Sequence, residues 1–391
     1  MEELTEAVLQ SNLNVTMKSL AVSVFNAYME AERNQFIQAQ AYERVDQRVD
    51  QRNGYYEREL LIPQGKIKLR VPRTRSGEFK TELFDHYQRC DKAFVLTLME
   101  MVVQGISTRK VTEVVEQLCG EAVSKSFVSD LMKQLDPEVA AFQQRSLAEQ
   151  TYAYLHLDAL YIKVREHGRV VSKAVYLAQG TTPEPKREII GFMVSDVESK
   201  QTWQTFLLAL RQRGLRNPQL ITSDAHAGLK KAIDAVFTGV PWQRCTFHFL
   251  RNLMEVLPKQ QYKELRFLLR RIFKAPTREH ALLAKRECEA MYMNDPKLKR
   301  LFELLEEGFE DAIQYVHVPE AYHAMVRTSS SLERLNREIR RRDKVFSIYP
   351  NLASATRLIG AVLIDLNQKM VEKRPFNIFK QGSPTNVDII A

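Results

Sequence analysis

The sequence predicts an α/β protein with a mixed β-sheet core, an all-helical block after the sheet, and a helical region before it. Three observations predict this fold class. Strand-like apolar segments are concentrated in residues 149–250, where they alternate with amphipathic helical segments. Residues 251–326 show helical periodicity alone. At about 150 residues per domain, a chain of 391 residues has room for two or three domains.

The N-terminal part of the chain predicts a helix and then a hairpin. Residues 1–52 are expected to form a helical arm that ends in the polar stretch YERVDQRVDQRNG. In residues 53–90, two segments of alternating polarity flank Pro63-Gln64-Gly65, which is a hairpin signal. The second segment carries five cations: Lys66, Lys68, Arg70, Arg73 and Arg75. They face either a phosphate backbone or water, and the pattern does not decide between the two.

Residues 91–148 contain three short segments with apolar side chains at helical spacing. Gly105 can end the first helix, and Ser107 or Thr108 can cap the second. Short links between the helices predict either a DNA-binding helix-turn-helix or a plain helical bundle. In the first case SKSFVSDLMKQL is the recognition helix, and its N-terminal end presents three DNA-binding candidates: Ser124, Lys125 and Ser126.

Residues 149–250 predict the first part of the sheet. TYAYLHLDALYIKV is a strand that leads through the turn EHGR to a second strand, and REIIGFMVS is the third. A helix capped near Ser199 comes next, with Trp203 on its apolar face, and PQLITSDA is the fourth strand. After another helix, VPWQRCTFHF is a fifth strand or an extended segment. The order βββαβαβ predicts a mixed sheet with helices on its faces.

Two of these strands carry carboxylates at positions where packing alone would place apolar groups. An unpaired buried Asp158 would cost on the order of several kcal/mol. Asp224 follows the strand LITS, at the edge where open α/β sheets commonly bind ligands. Two carboxylates at neighbouring strand ends repel each other unless one is protonated or a cation lies between them. Mg²⁺, which prefers oxygen ligands, would remove the conflict.

A third acid is expected on the helix in residues 327–344. Glu333 shares a stripe with Asn336, Arg337 and Arg340, whereas the apolar side chains cluster on the adjacent face. One carboxylate, one amide and two guanidinium groups on a single stripe suit a metal ion and a phosphate. The alternative is that Glu333 belongs to a helix-capping box that begins at Ser330. Glu338, about 140° around the helix, is expected at the surface.

The remaining motifs allow either a structural or a functional interpretation. Cys245-x-x-His248 supplies only two ligands of a zinc site, and no partner pair is evident. The alternative is a buried cysteine with a structural histidine. His226, two residues after Asp224, can likewise be a structural histidine. Trp242 either packs in the core or stacks on an unpaired base.

Composition limits the class of protein. The net charge of +9 favours a polyanionic partner weakly, since binding phosphates releases counterions. Four scattered cysteines make no disulfide framework and predict a reducing compartment. The acidic, amphipathic N-terminus is unlike a signal peptide, and no apolar run reaches the roughly 20 residues of a membrane span. We therefore expect a soluble cytoplasmic protein with no membrane partner and a loosely ordered tail in residues 373–391.

Four segments together carry a specific resemblance: LDALYIKVRE, SDAHAGL, QRCTFHFLRN and RTSSSLERLNREIRRR. In their order and spacing they resemble the Mutator-type, IS256-like transposases, which are DDE recombinases of bacterial insertion sequences. The resemblance runs over roughly residues 45–370. The 109 residues from Asp224 to Glu333 match a family with a helical insertion between its second Asp and its Glu.

The resemblance implies a ribonuclease H-like core in which Asp158, Asp224 and Glu333 are the catalytic triad and hold two Mg²⁺ ions. The core would comprise residues 149–250 and 327–372, interrupted by the insertion 251–326. Mn²⁺ would substitute for Mg²⁺, and no zinc is expected. His226, Cys245 and His248 would support the site.

The expected partners are double-stranded DNA, as terminal inverted repeats and as target, and a second copy of the chain in a homodimer at the bacterial nucleoid. Besides Ser124, Lys125 and Ser126, the DNA-binding candidates are Arg251, Asn336, Arg337, Arg340, Arg341, Arg342 and Lys344. The Thr-Thr-Asn of the family is replaced by Thr328-Ser329-Ser330, and serine is expected to cap the helix equally well. The alternatives are an inactive DNA-binding regulator and a nuclease without strand transfer.

Overall fold

The computed structural model describes residues 2–84, 92–120, 123–257, 263–292 and 295–372, and within these it leaves the side chains of residues 2–14 and 92 undescribed. The prediction of a loosely ordered tail in 373–391 lies outside the described residues. The chain divides into two compact units, Met1–Gln134 and Leu135–Ala391.

The first unit begins with a long helix that packs on a hairpin. Helix α1 spans Glu2–Ile37, and strands β1 (Arg52–Ile62) and β2 (Gly65–Thr74) pair antiparallel across the predicted turn. Met29 of α1 joins a core with apolar side chains of both strands. The hairpin is thus confirmed, but the helix predicted across residues 1–52 is wrong beyond Ile37. The chain turns there through Gln38, whose φ is 58°.

The five cations of the second hairpin segment are exposed. Lys66, Lys68 and Arg70 alternate with buried residues of β2, whereas Arg73 follows a break in that alternation and Arg75 lies beyond the end of the strand. The guanidinium groups of Arg70 and Arg73 lie over the rings of Tyr55 and Tyr56. This placement is compatible with both alternatives for these cations.

Three short helices complete the first unit: α2 (Lys92–Val103), α3 (Thr108–Cys119) and α4 (Lys125–Met132). Ser107 rather than Thr108 caps α3, since its hydroxyl accepts a hydrogen bond from the Lys110 amide at 3.2 Å. Helices α2, α3 and α4 contact one another. A helix-turn-helix and a plain bundle both allow such contacts, so the choice between them stays a prediction.

The second unit contains helix α5 (Asp136–Gln144) and the predicted mixed sheet. Its elements in chain order are β3 (Tyr154–Glu166), β4 (Arg169–Thr181), β5 (Arg187–Ser195), α6 (Lys200–Gln212), β6 (Leu220–Ser223), α7 (Ala227–Val236), β7 (Trp242–Arg244) and α8 (Thr246–Glu255). The strand order is β5-β4-β3-β6-β7, with antiparallel pairs among β5, β4 and β3 and parallel pairs among β3, β6 and β7.

The fifth strand is shorter than predicted. It ends at Arg244, and the TFHF part of the predicted segment forms the first turn of α8. Phe249 and Leu253, four residues apart, bury one face of this helix. The aromatic content of TFHF favoured a strand locally, but the burial of one helical face decides the structure.

Only helices follow in the described part of 251–372: α9 (Lys263–Ile272), α10 (Arg278–Tyr292), α11 (Lys299–Ala312), α12 (Glu320–Val326), α13 (Ser330–Phe346) and α14 (Leu352–Val371), with short 3-10 turns between some of them. Apolar side chains of α8 to α11 share one core. Helices α13 and α14 instead pack on strand β3. Across the described residues, we find no helix whose length and hydropathy would let it cross a bilayer.

Candidate active site

The register of two parallel strands places Asp158 beside Asp224. His156 of β3 lies opposite Thr222 of β6, and the two acids are each two residues further along the chain. Neighbouring strands lie about 5 Å apart, and Asp224 directly follows the last residue of β6, so the backbone at Asp158 lies near the backbone at Asp224. Asp224 follows the end of β6 as predicted, whereas Asp158 lies inside the longer strand β3.

The Asp158 carboxylate is held by two hydrogen bonds. Its Oδ1 accepts from the amide of Ala159 at 2.9 Å, and its Oδ2 accepts from Nδ2 of Asn336 at 2.8 Å. Burial raises the pKa of Asp158 to about 6, and the charge of Asp224 adds to the rise, whereas His248 opposes it. Asn336 and His248 therefore stabilise the ionised form of Asp158, whereas burial favours its protonated form.

Helix α13 brings Glu333 to the same histidine. Oε1 of Glu333 lies 3.5 Å from Nε2 of His248, and this oxygen is buried without a hydrogen-bond partner. The capping-box alternative for Glu333 is wrong, because the N-cap residue is Ser329 and no side chain caps the helix. All three predicted acids thus interact with one imidazole, Asp158 and Asp224 through their charges and Glu333 at close range.

The serine expected to cap α13 has another partner. The Ser329 hydroxyl donates to Sγ of Cys245 at 3.2 Å, and the Ser329 amide lies 3.3 Å from the same sulfur. The prediction that serine would cap this helix is therefore wrong. The contact instead ties the start of the helix that carries Glu333 to the start of α8.

Cys245 and His248 lie one helical turn apart, and Cys245 is buried. Interaction with Cys245 is the largest cause that raises the pKa of His248, to about 9, and the charges of Asp224 and Asp158 add to it. Burial raises the pKa of the Cys245 thiol, but its contacts with His248 and Ser329 outweigh burial and leave the pKa below its ordinary value. The motif therefore combines a buried cysteine with a cationic histidine beside the acids.

His226 contacts a different acid. It occupies the N-cap position of α7, where its Nδ1 accepts from the amide of Leu229 at 3.3 Å and lies 3.4 Å from Oε1 of Glu198. Glu198 also accepts from Nε1 of Trp203 at 2.7 Å. The sequence patterns do not single out Glu198. Its position just before the capped start of α6 is the only signal that could have drawn attention to it.

Arg244 is a second residue that the sequence patterns overlook. It ends β7, and burial lowers the pKa of its guanidinium, whereas Asp224, Asp311 and Glu307 oppose that shift. Its guanidinium lies over the ring of Phe249, 3.9 Å from the ring centroid. The sequence signal that could have drawn attention to Arg244 was a basic residue at the end of β7, the strand next to β6.

The candidate DNA-binding residues of α13 divide into three groups. Asn336 is turned to Asp158, and Arg342 is buried against Glu338. The exposed members are Arg337, Arg340, Arg341 and Lys344. Only the exposed group is accessible to a binding partner, whereas the side chain of Arg342 is not.

The other DNA-binding candidates are exposed residues of α8 and of the start of α4. Arg251 is exposed on α8, 4.0 Å from Glu255. The Ser124 hydroxyl accepts from the Phe127 amide at 3.1 Å and so caps α4, and Lys125 and Ser126 are exposed beside it.

Both tryptophans pack in the core of the second unit. Trp203 is buried, as predicted. Trp242 is also buried and donates to the Ser223 hydroxyl at 2.8 Å, which confirms packing rather than base stacking.

The donor atoms at this site fit an oxygen-preferring divalent cation. The donors are the carboxylate oxygens of the acids and the amide oxygen of Asn336. Oε1 of Glu333 and Oδ1 of Asn336 are buried and have no hydrogen-bond partner. Across the described ranges, no three His, Cys, Asp or Glu side chains converge into one group that could hold a metal ion as they stand. The donor chemistry therefore suits magnesium, whereas the described geometry leaves the acids spread around His248.

Comparison with known sequences covers nearly the whole chain. A family model described as "Transposase, Mutator family" matches residues 1–373. The transposase for insertion sequence element IS256 in transposon Tn4001 of Staphylococcus aureus is 46% identical over 370 residues, which is 95% of each chain. The transposase for ISRM5 of Rhizobium meliloti is 40% identical over 91% of this chain and 89% of its own. The transposase for IS1081 of Mycobacterium tuberculosis is 36% identical over 92% and 86%.

Proposed function

The chain belongs to the Mutator family of transposases, and from that premise we propose that it cuts and joins DNA with the carboxylates of Asp158, Asp224 and Glu333. One observation carries the proposal: three acids from β3, the end of β6 and α13 interact with the single imidazole of His248. If His248 served only in a structural ion pair, one carboxylate beside it would be enough. Three acids there suit a site that binds further positive charge.

The three acids are proposed to hold Mg²⁺, or Mn²⁺ in its place. When bound, such ions make a bound water or a DNA 3′-hydroxyl a better nucleophile and stabilise the leaving 3′ oxygen of an in-line displacement. Asn336 holds the Asp158 carboxylate by its 2.8 Å hydrogen bond and so orients it. His248 offsets the negative charge of the acids, and Cys245 and Ser329 hold α8 against α13. The chemistry needs no covalent protein intermediate.

Double-stranded DNA is the proposed partner, as terminal inverted repeats and as target. Arg337, Arg340 and Lys344 are exposed on the helix that carries Glu333, so phosphates bound there would lie near the acids. We also propose that the mixed sheet is ribonuclease H-like, with residues 251–326 as its helical insertion. Two copies would act together, because two element ends must be cut and joined.

We expect the double variant Arg337→Ala/Arg340→Ala to bind DNA more weakly and with a smaller salt dependence. Each lost phosphate contact lowers the slope of log K against log salt by about 0.9. Fluorescence anisotropy at several salt concentrations measures that slope. Arg271→Ala is the matched control, because Arg271 is engaged by Glu287 at 3.1 Å. An unchanged slope in the double variant would place these side chains away from DNA.

One assay tests the proposed function. The full chain is incubated with labelled element-end DNA, a target duplex and Mg²⁺, and the products are separated on a denaturing gel. A transposase gives joined products. Cleavage without joining would instead indicate a nuclease, and binding without cleavage would indicate a regulator.

A further inference from the structure

A groove lies beside the proposed active site, within the second unit. Its volume is about 550 Å³, and α8, α9 and the segment that leads into α13 line it. The apolar lining includes Leu250, Met254, Leu257 and Phe273, and the cations are Arg251, Arg266, Arg270, Lys274 and Arg327. A volume in the range of about 300–1,000 Å³ suits a ligand rather than a protein domain.

The charges of the groove are unbalanced. Among the described residues that line it, Glu255 is the only acid, and it lies 4.0 Å from Arg251. Arg266, Arg270, Lys274 and Arg327 form no ion pair with an acid in the described part of the chain. Such an excess of positive charge is complementary to phosphate. By contrast, the adjacent Arg271 lies outside the groove and is paired with Glu287.

An exposed aromatic ring joins this groove to the acids. Phe247 lines the groove with 48% of its surface exposed, and its ring centroid lies 5.6 Å from that of His248. His248 in turn contacts Glu333. A flat apolar ring in a cationic groove is the combination with which proteins bind single-stranded nucleic acid, since every base has a face that stacks. A duplex keeps its bases stacked inside and would leave Phe247 unused.

We infer that this groove binds an unpaired nucleotide of the DNA next to the scissile phosphate, with its base on Phe247 and its phosphates on Arg266, Arg270 and Arg327. The inference rests on the proposed function and adds a substrate feature to it. The protein would then recognise a locally opened end rather than an intact duplex. Stacking on Phe247 would hold the strand beside His248 and the acids.

The test compares two versions of one element end, a full duplex and a duplex with three unpaired nucleotides at the cleavage position. Binding of the full chain is measured by fluorescence anisotropy with Ca²⁺ in place of Mg²⁺. We expect the wild type to prefer the opened DNA by about 5- to 150-fold, the range for one stacked base. Phe247→Ala should lose this preference but keep its affinity for the duplex, and Phe247→Trp should retain the preference.

Phe267→Ala is the matched control, because Phe267 is 64% exposed on α9 and lies outside the groove. A 2-aminopurine base at the unpaired position should be quenched by the wild type and by Phe267→Ala, but not by Phe247→Ala. Arg266→Ala/Arg270→Ala should also weaken binding of the opened DNA more than binding of the duplex. If Phe247→Ala does not fold, the variant Arg266→Ala/Arg270→Ala still tests the inference.

Equal affinity of the wild type for both DNAs would overturn the inference. So would a Phe247→Ala variant that keeps the preference but changes its mass in sedimentation, since the groove would then be a surface between copies of the chain. Either result leaves the proposed function intact if joined products still form. Failure of the proposed function is a separate result, in which neither DNA is cut with Mg²⁺.

Discussion

Asp158→Asn is expected to abolish DNA cleavage. The substitution keeps the shape of the side chain and an oxygen that accepts from Asn336, but it removes the charge that would hold a cation beside Asp224. Loss of a single oxyanion-stabilising hydrogen-bond donor costs about 10²–10³ in rate, and we expect loss of a metal ligand to lower the rate at least as much. Single-turnover cleavage of labelled element-end DNA measures the effect.

DNA affinity should be unchanged or higher in this variant, because a neutral amide repels phosphate less than a carboxylate does. Asp234→Asn is the control, since Asp234 lies on an exposed part of α7. Thermal melting should show that both variants are folded. A wild-type cleavage rate in Asp158→Asn would remove this residue from the active site, whatever its geometry.

Removal of divalent metal is expected to have an equally large effect. A chelator should stop cleavage, and Mg²⁺ or Mn²⁺ should restore it, because the proposed ligands are carboxylate oxygens. Since the pKa of Asp158 is raised to about 6, protons compete with the metal below that pH. The Mg²⁺ concentration needed for half-maximal rate should therefore rise as pH falls from 7 to 5.

The metal experiment also shows whether the carboxylates or the pair Cys245 and His248 bind the metal. Mn²⁺ binding followed by electron paramagnetic resonance should be lost in Asp158→Asn and retained in Cys245→Ser. Restoration by Zn²⁺ alone would shift the metal site to Cys245 and His248. Cleavage that persists in chelator would contradict the whole carboxylate mechanism.

Local patterns were sufficient for most of the fold. The period-2 segments around Pro63-Gln64-Gly65 gave the hairpin, and helical spacing gave the three helices near residues 92–132. Those signals depend on neighbours within a few residues, so a single sequence contains them. The errors arose where local signals were ambiguous. TFHF could form a strand or a helix, and the end of α1 had no strong stop signal.

The candidate site residues stay a prediction, and only some of their contacts could be expected from the sequence. Asp158 inside an apolar strand, Asp224 at the end of another and Glu333 on a polar helical stripe stand out in the sequence. The family resemblance joined the three into one proposed triad. Nothing local indicated that Asn336 would hold Asp158, 178 residues away, or that Ser329 would bind Cys245 instead of capping its helix.

By itself, then, the sequence indicated the α/β class through its periodicity and the family through the order of its motifs, and the resemblance to that family made Asp158, Asp224 and Glu333 the proposed triad. Tertiary structure alone decided that Glu333 lies 3.5 Å from His248, that Arg342 is buried while Arg337 is exposed, and that a cationic groove opens beside Phe247. The physical reason is that strand register and the docking of α13 on β3 arise from packing between distant segments.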